Sequence, residues 1–309
     1  MGAFTYCDLE VINVDNGNPW YYSNGGCLID KKHEGEEIVI AGCNNYSVTI
    51  PNSVTSIGSL AFGGCYRLPS VTIPNSVVTI GLGAFSDCSG LTSVTLPNNG
   101  ISVGPQAFVG CSGLTNIEIP SSTNIGSDAF KECDNLVFNT YQNANYLGNN
   151  ENPYLCLYKA MSNDITNCVV NENCESIVSS AFDDCSNITN IIIPNSVSSI
   201  GEGAFRGCSG LVSIISNAIT PPAYFDDNEF NAFDMVSDYN IPLYVPAESI
   251  EAYRTADVWA NFTNILPIPT TGFNEATCEK NEVRKMLIDG TVYVEKDGVR
   301  YNLNAQKIR

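Results

Sequence analysis

The chain has 309 residues, 44% of them hydrophobic, and carries 14 Lys plus Arg against 33 Asp plus Glu for a formal net charge of -19. A balance this acidic repels phosphate backbones and anionic lipid surfaces, which excludes nucleic acid as a partner, and no apolar run approaches the roughly 18 residues of a membrane-spanning helix. The single histidine, His33, closes off histidine-based triads and multi-histidine metal centres.

From the start, Ala3-Phe4, Cys7, Ile12 and Val14 match the second half of a unit whose full form appears further on. The chain therefore begins inside a coil, without an N-terminal cap, which predicts natural sequence upstream. Met1 is followed by no basic and apolar leader, so no signal peptide is visible. Tyr22 to Ile40 reads as a hairpin around a Gly25-Gly26 turn.

The full unit then recurs about every 23 residues: Ile57-Gly58, Ala61-Phe62, Cys65 and Leu68 return as Ile80-Gly81, Ala84-Phe85, Cys88 and Leu91. Two more copies follow, and two again from Ile177 and Ile200. A fixed period of this size means stacked supersecondary units, and the spacing Leu68, Val71, Ile73 followed by inward apolar residues is that of a leucine-rich repeat. Alternation at Val71 and Ile73 marks a short strand, stopped by Pro74 as its counterparts are by Pro51, Pro97, Pro120 and Pro194. Gly58, Gly81, Gly104, Gly126 and Gly201 occupy a bend that a side chain would obstruct, and each Ala-Phe pair closes a short helical turn. Phe62, Phe85, Phe108, Phe130, Phe182 and Phe205 are expected to stack as one aromatic column. Cys65, Cys88, Cys111, Cys133, Cys185 and Cys208 fill a small buried apolar position as reduced thiols.

Between Leu136 and Ile165 the spacing stretches to 29 residues, so 137–164 reads as a degenerate coil with a bulging loop at Tyr146 to Asn152. After Ile214 the pattern dissolves. Pro242 to Pro246 reads as a last edge strand and Ala247 to Trp259 as an amphipathic helix, with Ile250, Tyr253 and Trp259 covering the end of the stack. In the tail, Asp289-Gly290 and Asp297-Gly298 each separate alternating apolar runs, the signature of a three-stranded meander.

The expected fold is a β-rich repeat solenoid of leucine-rich-repeat type, with parallel strands on one face, short helical turns and loops on the other, and a small C-terminal β-meander. The solenoid spans 1–268, with irregular coils at about 15–47 and 137–164 and a cap at about 217–268, and the hairpin tail spans 269–309.

Motifs that carry chemistry are scarce. Gly81-Leu82-Gly83 lacks the third glycine of a phosphate loop, and Gly201-Glu202-Gly203 shows it to be repeat punctuation. Asp226-Asp227-Asn228-Glu229 clusters hard oxygen donors but lacks the glycine and final glutamate of a calcium loop. No metal, no cofactor and no enzymatic activity are expected. What remains is surface. Strand alternation points Ser47/Thr49, Ser70/Thr72, Ser93/Thr95, Asn116/Glu118, Asn190/Ile192 and Ser213/Ile215 outward. This ladder of hydroxyls and small amides suits a protein backbone or sugar hydroxyls, although such cross-strand neighbours also stabilise a sheet without any ligand. The degenerate coil, with Tyr141, Tyr146, Tyr154 and Tyr158 beside its asparagines, is the other candidate surface.

The motif I-P-N-S-V-x-x-I-G-x-x-A-F-x-x-C-x-x-L-x-x-V-x-I-P, read at Ile50 to Pro74 and again from Ile193 to Ile214, resembles the BspA-type leucine-rich repeat. Leu9 to Lys31 and Tyr244 to Ile265 resemble segments flanking such repeats, so the resemblance covers about residues 3 to 268. It implies an exported or cell-surface protein of a host-associated microbe that adheres to host matrix proteins and aggregates; with the neutral polar face, this makes a protein or glycan of a host or neighbouring cell the expected partner, and the lack of a long apolar run makes no insertion in the membrane expected. A structural spacer presenting another module, with no ligand of its own, is the alternative.

Overall fold

The computed structural model describes residues 12–33, 35–41, 47–224, 231–236, 238–268, 283–288, 291–296 and 299–301. The opening coil fragment at Ala3 to Cys7 and the acidic stretch at Asp226 to Glu229 lie outside the described residues, as do the tail's Asp-Gly turns. The first unit among the described residues is an antiparallel meander of β1 (Tyr21–Asn24), β2 (Cys27–His33) and β3 (Gly35–Ala41). Its first turn is the one expected: Gly25 and Gly26 take φ of 59 and 84 degrees between the paired Asn24 and Cys27.

Regular coils follow, through β4 (Val54–Ile57), β5 (Ser70–Thr72), β6 (Thr79–Ile80), β7 (Ser93–Thr95), β8 (Ser102–Val103), β9 (Asn116–Glu118) and β10 (Asn124–Ile125). Strands β5, β7 and β9 form the parallel sheet expected from the sequence, while β4, β6, β8 and β10 continue a second parallel sheet from β3. A third ladder needs no strands. Leu60, Phe62 and Gly64 donate their N–H groups to the carbonyls of Leu82, Ala84 and Ser86 in the next coil, at 2.9, 2.7 and 2.7 Å. The Ala-Phe segment is a run of i to i+3 turns, interrupted by left-handed residues such as Leu60 (φ 58) and Gly64 (φ 76). Those residues stop the turns from winding into a helix and aim alternate N–H groups at the neighbouring coil. At Gly81 and Gly201 the obstruction is between coils: a Cβ would lie 2.7 Å from the Ser59 nitrogen and 2.4 Å from the Ser179 nitrogen, respectively.

Inside, every apolar position stacks on its own copy. Ring centroids step from Phe62 to Phe85, Phe108 and Phe130 at 4.6, 5.1 and 5.5 Å, all near-parallel. Beside them the thiols of Cys88, Cys111 and Cys133 each reach the carbonyl of the phenylalanine one coil back, Phe62, Phe85 and Phe108, at 3.0, 3.1 and 3.1 Å. All ten described cysteines are free and buried.

The aromatic column is not continuous, contrary to the expectation of one stack. After β10 comes a second meander, β11 (Asn139–Tyr141), β12 (Ala144–Leu147) and β13 (Cys156–Ala160). It separates Phe130 from Phe182. Tyr158 stands in the gap, edge-on to Phe130 at 5.8 Å and stacked on Phe138 at 5.2 Å. Its hydroxyl accepts the Phe130 N–H at 3.1 Å, where the preceding coils supply the alanine carbonyl of the next copy. Tyr146 does the same for the Asn171 N–H, also at 3.1 Å.

The second series runs through β14 (Asn167–Val169), β15 (Ser176–Ile177), β16 (Asn190–Ile193), β17 (Ser199–Ile200), β18 (Ser213–Ser216) and β19 (Ala223–Tyr224). It repeats the first at an offset of 120 residues: Ile57, Phe62, Pro74, Phe85 and Cys88 become Ile177, Phe182, Pro194, Phe205 and Cys208. Both series open with a meander whose third strand pairs in parallel with a second-face strand, β3 with β4 and β13 with β15. A further ring, Phe233, stacks on Phe205 at 5.0 Å.

The stack ends differently from the sequence reading. The strand β20 (Leu243–Val245) pairs with β18, but α1 (Ile250–Thr255) and a following 3-10 turn carry the chain back to add β21 (Ile265–Pro267) beyond it. Thus β21, not the Pro242 to Pro246 segment, is the edge. Tyr253 and Trp259 close the interior as expected, the indole N–H bonding the Pro222 carbonyl at 2.9 Å. In the tail, β22 (Val283–Ile288), β23 (Thr291–Lys296) and β24 (Val299–Tyr301) form the antiparallel meander.

Phe85→Ala removes a fully buried ring with a stacked neighbour on each side, so chemical denaturation should show a loss of about 3–5 kcal/mol. Burial pushes the thiols of Cys27, Cys156 and Cys168 from 9.0 to about 12. A raised folded value means their contribution is intact below pH 9 and is lost as pH climbs toward 12. Thermal melts should therefore drop across that window, and Cys168→Ala should flatten the drop.

Candidate binding face

The first-face strands carry the outward ladder. Register places Ser70, Ser93 and Asn116 in one row and Thr72, Thr95 and Glu118 in the next, all six exposed. Ser47 and Thr49 are exposed on the segment preceding them. In-register stacking is what aligns them, since adjacent parallel strands lie only about 4.8 Å apart. Among the described residues the hydroxyls of Ser70, Thr72, Ser93 and Thr95 make no hydrogen bond to protein. They face water.

The continuation in the second series is different. Asn190 is half-buried in β16, its amide oxygen accepting from Ser213 Oγ at 2.7 Å and its amide nitrogen donating to Thr189 Oγ1 at 2.9 Å. Ile192 and Ile215, expected to point outward into the ladder, are buried at 6% and 9% exposure. Their register neighbours explain this: Val169, Ile192, Ile215 and Tyr244 form one apolar row in which each side chain covers the next. The polar face therefore belongs to the first series.

The tyrosines of the second meander are mostly interior. Tyr146 is fully buried, its hydroxyl engaged by Asn171, and desolvation raises its pKa. Tyr158 is buried at 8% exposure. Tyr141 is half-buried, edge-on to Tyr154 at 6.0 Å, and Tyr154 is edge-on to Tyr146 at 5.6 Å. These rings form an aromatic wedge that fills the break between series, so of the two candidates Tyr141 and Tyr146 the latter is withdrawn from the surface. Position in an asparagine-rich loop had suggested the opposite.

The loop after β12 borders the polar face. Asn149 donates from Nδ2 to the Ile119 carbonyl at 3.0 Å, and its Oδ1 accepts the N–H groups of Glu151 and Asn152 at 3.0 and 2.9 Å. Asn150 Nδ2 donates to Glu118 Oε1 at 2.6 Å, and Ile119 N–H bonds the Gly148 carbonyl at 2.9 Å. The loop thus closes the face at β9 and holds its one carboxylate. Sequence reading found the loop but not its anchor, because Glu118 and Asn150 lie 32 residues apart.

Among the described residues no group of three or more His, Cys, Asp or Glu side chains is placed to hold a metal, and no helix is long and apolar enough to cross a membrane. Apart from the Glu118 carboxylate, the face offers neutral donors and acceptors.

A family model for the BspA type leucine rich repeat region matches residues 37–151 and 156–256, in 6 copies. None of the curated proteins matches the chain. Among solved structures, a T. pallidum leucine rich repeat protein is 25% identical with a TM-score of 0.39, the match covering 62% of this chain and 80% of that one. A leucine rich cell surface protein from Faecalibacterium prausnitzii is 21% identical with a TM-score of 0.32, covering 83% and 97%. The pneumococcal vaccine antigen PcpA is 16% identical with a TM-score of 0.26, covering 75% and 83%.

Asn149→Ala deletes the amide that ties the loop to β9 and the acceptor that shapes it. Limited proteolysis should then nick residues 148–153, which resist in the parent chain, at a stability cost of about 1–3 kcal/mol.

Proposed function

The chain belongs to the BspA-type leucine-rich repeat family, and from that premise we propose that it is a non-enzymatic, extracellular or cell-surface binding protein that holds a protein or glycan ligand along the first-face ladder. One observation carries the reading. The hydroxyls of Ser70, Thr72, Ser93 and Thr95 are exposed, aligned and without protein partners, whereas their counterparts Asn190 and Ser213 bond each other. A ladder serving only the sheet would be expected to satisfy itself, as the second series does. Short neutral donors and acceptors on a flat, rigid array suit main-chain amides and sugar hydroxyls, and the net charge of -19 biases encounter toward cationic partners. Ser47, Thr49, Asn116 and Glu118 extend the surface at its two ends.

Immobilised matrix proteins and a glycan array should yield a ligand whose binding is lost in the Ser93→Lys, Thr95→Lys double variant and retained in Asp134→Lys, which alters an exposed turn. Silence of the parent chain in both panels would leave the solenoid as a spacer and end the proposal.

A further inference from the structure

We propose that an extended peptide segment of a partner protein inserts between residues 47–50 and β5 as an additional parallel strand; this rests on the binding-face reading and assigns that face its anchoring point. Main-chain directions carry the argument. Ile73 N–H donates to the Thr95 carbonyl at 3.0 Å and Thr92 N–H to the Pro69 carbonyl at 2.8 Å. Alternate residues of a strand turn their main-chain groups to opposite sides. Val71 and Ile73 therefore serve β7, and the N–H and C=O groups of Ser70 and Thr72 face residues 47–50. On that segment Thr49 N–H reaches back to the Gly25 carbonyl at 3.4 Å, which turns the main-chain groups of Val48 and Ile50 toward β5.

The two edges face each other but do not bond. Among the described residues no main-chain hydrogen bond joins 47–50 to 70–73, whereas β5 to β7, β7 to β9, β14 to β16 and β16 to β18 are each paired in register. In place of the ladder lies a cleft of about 340 Å³, walled by 47–50 on one side and by Ser70, Thr72 and Pro74 on the other. The ligand that satisfies the β5 edge and the facing groups of Val48 and Ile50 at once is an added strand.

The walls also state what that strand must carry. Its inward side chains lie between Val48 and Val71 and between Ile50 and Ile73, of which all but the half-buried Val48 are buried, and its outward ones join Thr49 and Thr72, both exposed. The occupant therefore alternates β-branched apolar with small hydroxyl residues, flanked by cationic ones that answer the charge of -19. The opposite end of the first-face array offers no such opening, because the edge strand β21 carries Pro267, which has no N–H to donate.

The probe is the labelled peptide Lys-Lys-Ser-Val-Thr-Val-Ser-Lys-Lys, titrated against the full chain by fluorescence anisotropy. We expect a dissociation constant below roughly 1 mM. Thr72→Pro removes the slot-facing N–H and leaves those of Val71 and Ile73 on β7, so binding should weaken by at least about tenfold. The same peptide N-methylated at alternate amides should not bind. In hydrogen exchange, the Ser70 and Thr72 amides should exchange faster than that of Thr95, which lies in the β5 to β7 ladder, in the free chain, and slow when peptide is added. Where Thr72→Pro lowers the melting temperature of the fold, the methylated peptide and the exchange data carry the test.

Absence of peptide binding, equal protection of Thr72 and Thr95 in the free chain, or binding indifferent to N-methylation would each overturn the slot. Concentration-dependent dimerisation abolished by Thr72→Pro would assign it to a second copy instead and equally overturn the proposal. The two readings separate cleanly. A matrix or glycan ligand lost in the Ser93→Lys, Thr95→Lys variant but kept in Thr72→Pro sinks the slot and spares the face; the reverse sinks the side-chain ladder and spares the slot.

Discussion

In-register parallel stacking is the constraint on which everything else in this molecule depends. A regular coil presents to its successor main-chain donors and acceptors on three ladders, an aromatic ring, a thiol and several aliphatic groups, and the same set answers them one period later. A buried amide or carbonyl without a partner is costly, so the stack cannot simply stop or skip. At the break between the two series and at the C-terminal end another group takes over the lost bond, whereas at the open cleft beside β5 none of the described residues does. Two tyrosine hydroxyls do this at the break before the second series, and Trp259 and Tyr253 do it at the C-terminal end, where Tyr253 Oη bonds the Ala218 carbonyl at 3.0 Å. Buried tyrosines here are substitutes for backbone.

The same constraint divides the surface. Outward residues are copied as faithfully as inward ones, so a row that is polar in one coil is polar in the next, and an apolar row shields itself. The first series keeps Ser and Thr at both outward positions of β5 and β7; the second carries Ile at one of them in β16 and β18 and closes over. Two nearly equivalent halves of one solenoid thereby present different faces, one open to solvent hydrogen bonding and one largely sealed.

How much of this the sequence discloses depends on whether a feature repeats. Phe62, Phe85 and Phe108 were legible because the same residue recurs at the same offset, and so were the thiols and the prolines that end each strand. Phe233 was missed because it follows Phe205 by 28 residues and is followed by Val236 where the template has cysteine. The second-face strands, two residues long at β6, β8 and β10, are too short to leave a periodic trace. The burial of Tyr146 and of Ile192 depends on contacts across the stack, and no local pattern reveals those. Of the candidate site, the exposed ladder from Ser70 to Glu118 was readable by alternation alone; its border at Asn149 and the unbonded gap beside β5 were not.

The break at Tyr158 has a mechanical consequence. Regular coils are joined by many short backbone bonds loaded side by side, whereas the seam between Phe130 and Phe182 relies in part on single phenolic contacts and on rings meeting edge to face. Tension along the stack would therefore load that seam before the regular coils. The half bearing the polar ladder would then yield as a unit, its own coils still bonded to one another.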